Sequence, residues 1–138
     1  MLSNYDGVNT LVLKHSPLMA AQAAGLDVTW TPGHSLNLGV NDRSHIKDAA
    51  AAAKAAEVAV IFIGLCADHC DNGKGIEDEG FDRGRIALPG AQEQLLEAVV
   101  AAQPKTIMVM INGGAISISW AKDHVPAILE AFLLLATC

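Results

Sequence analysis

Residues 75–83, GIEDEGFDR, set four carboxylates (Glu77, Asp78, Glu79, Asp82) beside one guanidinium, Arg83. Carboxylates this close repel one another. The crowding either sits in open water at little cost or is held in a cleft, where one raised pKa provides a proton donor at neutral pH. Glycines at 75 and 80 bracket the acids and shape a turn, and Arg83 is placed to partner Asp82. In an extended segment Glu77 and Glu79 point to one side and Asp78 to the other. Glu77 and Glu79 lie about 7 Å apart in that case, but on the same side, so they cannot flank a scissile bond. A second carboxylate for such chemistry must come from elsewhere.

Other chemistries fail on spacing. A phosphate loop ending at Gly73-Lys74 needs glycine where Asp68 stands, and Gly75 replaces its final hydroxyl residue. A dinucleotide fingerprint starting at Gly73 needs glycine at Asp78, and the surrounding acids repel a pyrophosphate. Cys66, His69 and Cys70 do not have zinc-site spacing, and no second ligand pair follows, so no metal site is assigned. The three cysteines are too few for a disulfide framework, which leaves a local Cys66–Cys70 bridge as a secondary alternative. Asn112-Gly113-Gly114 is adequately explained as a turn after a strand; its functional version is that a side chain at either glycine would obstruct a pocket.

The elements that must position these groups follow from composition and periodicity. A chain of 138 residues, 51% hydrophobic and 17% charged, is long enough for one domain with a core. A net charge of −6 without clustered Lys or Arg argues against a nucleic-acid partner. The longest apolar run, residues 58–67, is half of what a membrane span needs, about 20 residues. No basic start followed by an apolar stretch opens the chain, so no secretory signal is visible and the compartment stays open.

Residues 58–63 and 106–111 are continuous, branched apolar runs of the kind found in buried parallel strands. Residues 27–30 and 127–132 are further strand candidates, and 17–24, 44–56 and 91–102 have helical patterns. This alternation predicts an α/β fold, a mostly parallel sheet flanked by helices on both faces, as one domain over 1–138. Ligands in such folds bind outside the carboxyl ends of the strands. The acidic segment and the Asn112 turn therefore emerge on the same edge.

Taken in order, residues 4–7 (NYDG), 50–60 (AAAAKAAEVAV), 77–83 (EDEGFDR), 87–92 (ALPGAQ), 111–114 (INGG) and 120–131 (WAKDHVPAILEA) resemble the C-terminal α/β-sandwich domain of glycoside hydrolase family 3. That resemblance covers nearly the whole chain. It implies a retaining β-glycosidase of the β-glucosidase or β-xylosidase type, with a β-linked glycoside as substrate and no cofactor. A glutamate of this domain is the general acid/base, by motif position Glu77, with Glu79 the second choice. Asp82 and Arg83 shape the loop and site rim, and Asn112 with Gly113 supports the neighbouring loop. The aspartate nucleophile belongs to an N-terminal barrel domain absent from this chain, so the isolated chain is expected to be inactive. Three further departures are expected: a strand before residues 3–7 is missing, the sequence diverges after residue 132, and the loop over 65–76 is longer than usual. The chain thus has the look of a truncated domain with missing edge elements, for which poor solubility follows. The alternative is a non-catalytic carbohydrate-binding or inter-domain module, a remnant without the nucleophile.

Overall fold

The computed structural model describes residues 16–33, 42–65 and 83–132. Their elements run α1 (Pro17–Ala23), α2 (Ile46–Ala55), β1 (Ala59–Gly64), α3 (Gln92–Ala102), β2 (Thr106–Asn112), α4 (Ser119–His124) and β3 (Ala127–Phe132). The three strands form one parallel sheet in the order β1-β2-β3. Fold class and the alternation of elements agree with the sequence pattern.

Register fixes the faces. Ala59 lies opposite Thr106 and Ile61 opposite Met108; on the other side, Met108 lies opposite Ile128. Residues in register on parallel strands project to the same side of the sheet. One face therefore carries Ala59, Ile61, Ile63, Met108 and Met110, all buried, and Met108 is fully so. Ala49 and Ala53 of α2, Leu95, Leu96 and Val99 of α3, and Ala121 of α4 join the same core.

Chain direction explains that shared core. Both crossovers, β1 to β2 and β2 to β3, step the same way across the sheet, and right-handed connections then place α3 and α4 on one side. Among the described residues the opposite side is open. Val60, Phe62 and Leu129 are 52%, 44% and 58% exposed, and Ile107, Val109 and Ile111 between them are half-buried.

Buried polar groups at the amino edge are satisfied locally. Gln103 Nε2 donates to the Ala56 carbonyl at 2.6 Å, and the buried Thr106 hydroxyl donates to the Gln103 carbonyl, so the end of α3 is tied to the end of α2 and to the start of β2. α1 begins properly, with Pro17 in its first turn and the Ser16 hydroxyl accepting from Met19 N–H at 3.2 Å. It buries no residue.

Two expectations are corrected. Residues 27–30 are not a strand, because a strand is a pairing and no described strand runs beside them; Leu26 and Trp30 remain exposed. The segment instead leads to Gly33, where an added Cβ would come within 2.5 Å of Leu95 Cδ2 on α3. Second, α4 was not foreseen. Its six residues are too short to display a helical period, and Ala121 alone of them is buried.

Candidate functional site

The carboxyl edge of the sheet is where the chemistry-bearing segments meet. β1 stops at Gly64, whose φ of +144° and whose contact with β2 exclude a side chain: a Cβ there would lie 1.9 Å from the Ile111 carbonyl oxygen. The next residue stays attached, Leu65 N–H donating to the Ile111 carbonyl at 2.8 Å. Gln92, 1% exposed in the first turn of α3, closes on the same glycine. Its Oε1 accepts from Gly64 N–H at 2.8 Å and its Nε2 donates to the Gly64 carbonyl at 2.8 Å.

Glu77, Glu79 and Asp82 lie outside the described residues. The chain is described again at Arg83, half-buried, whose Nη1 donates to the Ala87 carbonyl at 3.2 Å and Nη2 to the Ala115 carbonyl at 2.6 Å. Residues 86 and 87 run beside 117: Ala87 and Ser117 form a parallel bridge, and Ser117 N–H donates to the Ile86 carbonyl at 2.6 Å. A shallow, open depression is lined by Arg83, Gly84, Arg85, Ile86, Ala87 and Ser117.

Asn112 ends β2 on the buried face, 4% exposed. Its Nδ2 donates both to the Gly114 carbonyl at 3.0 Å and to Glu130 Oε1 on β3 at 3.1 Å. Both partners are acceptors, which fixes the amide orientation, and Oδ1 is then buried with no donor among the described residues. Gly113 is exposed beside it. Parallel pairing puts the ends of β1 and β2, Gly64 and Asn112, at one edge of the sheet, and Arg83 reaches the stretch after Asn112 through the Ala115 carbonyl; the acids expected to emerge beside that turn lie outside the described residues.

Two polar residues of this corner escaped the sequence reading. Gln92 was visible only as the last letter of ALPGAQ, and a glutamine in a helix's first turn normally faces water. Glu130 is an exposed residue of the strand candidate 127–132, with nothing in its spacing to name Asn112 as its partner. Among the described residues no three His, Cys, Asp or Glu side chains gather as a metal site would need, and no helix is long and apolar enough to cross a membrane.

Residues 1–136 match the sequence model of the glycosyl hydrolase family 3 C-terminal domain. The chain belongs to glycoside hydrolase family 3. Among family 3 relatives, the thermostable β-glucosidase B of Acetivibrio thermocellus is 33% identical over 108 residues, 78% of this chain and 13% of that protein. The exo-α-(1→6)-L-arabinopyranosidase of Bifidobacterium longum is 36% identical over 111 residues, 80% of this chain and 14% of that protein. The crystal structure of the family 3 β-glucosidase of Bifidobacterium adolescentis superposes with a TM-score of 0.73 at 34% identity, covering 87% of this chain and 17% of that one. This family 3 domain therefore spans about one seventh of the length of the relatives it matches.

Proposed function

We propose that this chain, as a single domain, is the acid/base-bearing part of a retaining β-glycosidase that hydrolyses β-glucosides or β-xylosides. Glu77 donates the proton, with Glu79 next in line; Asp82, Arg83, Asn112 and Gly113 shape the rim. The observation that supports it is the carboxyl-edge corner, where the acidic segment departs after Gly64 and returns at Arg83 beside the Asn112 turn. The named β-glucosidases among its relatives agree with a glucoside substrate.

In this mechanism a carboxylate of a partner barrel domain attacks the anomeric carbon while Glu77 gives its proton to the departing glycosidic oxygen. Glu77, now ionised, takes a proton from water as that water displaces the enzyme carboxylate. Crowding by Asp78, Glu79 and Asp82 favours keeping one carboxyl protonated for the first step. The test is Glu77→Gln, alongside Glu79→Gln, in a protein that joins this chain to a barrel. Activated aryl glycosides, whose leaving groups need no proton, should be spared and unactivated glycosides lost. Equal loss of both rejects the role.

A second reading is a non-catalytic carbohydrate-binding or inter-domain module. It predicts that neither glutamine variant changes turnover selectively.

A further inference from the structure

The shallow depression beside Arg83 contains groups that the acid/base chemistry does not use. Two chain segments are tied together across it. Arg83 donates to the carbonyls of Ala87 and Ala115, Ser117 N–H donates to the Ile86 carbonyl, and Ala87 bridges Ser117 in parallel. One segment runs between β1 and α3 and the other between β2 and α4, so both stand at the carboxyl edge of the sheet. That is the edge at which open α/β folds receive ligands.

The lining narrows the ligand. Arg85 is exposed, Ile86 and Ala87 present apolar surface, and Ser117 brings a hydroxyl that lies 3.3 Å from the Ser119 hydroxyl. A guanidinium meets a carboxylate with two parallel N–H···O bonds. Hydroxyls both donate and accept, as the hydroxyls of a sugar ring require, and apolar surface beside a few polar groups fits the C–H face of such a ring. Among the described residues that line the depression none is acidic, although the chain carries a net charge of −6. That overall charge repels a polyanion at long range, whereas a ring with one carboxylate brings a single charge for Arg85 to meet.

We propose that this depression binds a carboxylate-bearing sugar, a hexuronate unit of a glycan, with Arg85 on the carboxylate and Ser117 on a ring hydroxyl. Sugar as the ligand class rests on membership of family 3, and the carboxylate rests on Arg85. Such a site holds an acidic unit of a glycan without acting on it, so it is independent of which glutamate donates a proton.

The experiment titrates the full chain with methyl β-D-glucuronoside at low salt, followed by ligand-observed NMR. Methyl β-D-glucoside, the same ring without the carboxylate, should bind about tenfold more weakly. Arg85→Gln should weaken the glucuronoside about tenfold and leave the two glycosides alike, while Ser117→Ala should weaken both about threefold. Arg85 is exposed, so Arg85→Gln should melt with the parent, which separates lost binding from lost folding. Equal affinity for the two glycosides, no binding of either, or a preference that survives Arg85→Gln overturns the assignment. So does sodium acetate displacing the glucuronoside at equal concentration, the mark of an anion site blind to the ring. A polyglutamate peptide that binds more tightly than the glucuronoside assigns the depression to an acidic polypeptide instead. None of these outcomes bears on the acid/base reading, whose test is cleavage by the Glu77 and Glu79 variants.

Discussion

The Asn112 amide spans from its own turn to the next strand, donating to the Gly114 carbonyl at 3.0 Å and to the Glu130 carboxylate at 3.1 Å. One buried side chain therefore links the Asn-Gly-Gly turn to β3. Because its oxygen has no donor among the described residues, the position tolerates poorly any change that adds a second acceptor.

Asn112→Asp is the sharp form of that statement. The introduced carboxyl is buried and faces Glu130, and both effects raise its folded-state pKa above the unfolded value of about 3.9. A raised acid means the folded state holds the proton more tightly, so stability is greatest at low pH and declines as pH rises through about 4 toward the folded pKa. Urea unfolding should show the variant about 2–4 kcal/mol below the parent at pH 7, with a smaller gap at pH 4. The same gap at both pH values counts against the Asn112–Glu130 geometry.

Glycine positions at the corner should divide sharply. Gly64→Ala drives a Cβ to 1.9 Å from the Ile111 carbonyl oxygen at a φ of +144°, and should cost roughly 3 kcal/mol or more. At Gly84 an added Cβ meets nothing within 4 Å among the described residues, so Gly84→Ala should stay within about 0.5 kcal/mol of the parent. Thermal denaturation of the two variants checks both, and similar melting points would contradict the description of the β1 end.

The open side of the sheet should make the chain self-associate. Val60, Phe62 and Leu129 expose large apolar side chains on the face where no described helix joins the core. Light scattering behind size exclusion should find oligomers, and Val60→Thr with Phe62→Thr and Leu129→Thr should shift the population to monomer. A parent chain that runs as a single monomer contradicts this.

How far the sequence could be read depended on whether the signal was local. The branched runs at 59–64 and 106–112 and the helices at 46–55 and 92–102 announce themselves within their own windows, and each was placed to within two residues. Val28 and Trp30 also have strand-like residue types, yet strand formation needs a neighbour that no local pattern can supply. The corner was half legible. Parallel pairing of two buried runs put their ends, Gly64 and Asn112, on one edge, whereas Gln92 and Glu130 act across 28 and 18 residues of sequence on partners that spacing does not name. Gln92 is found at such a task only when its burial is known, and Glu130, which is exposed, only through its contact with Asn112.

The register of the sheet carries a consequence for the order of assembly. Ile107 meets Ala127 after a short excursion through α4, while Ala59 meets Thr106 only after a loop more than twice as long. By loop-closure entropy the longer closure is disfavoured by about 0.8 kcal/mol. We infer that the β2–α4–β3 unit docks first and β1 arrives last, so that truncating Ile128 slows folding whereas truncating Ile61 mainly hastens unfolding. The reverse partition in a chevron comparison rejects this sequence of events. Late arrival of β1 means that Gly64, and with it the departure of the acidic segment, is the last part of the corner to be put in place.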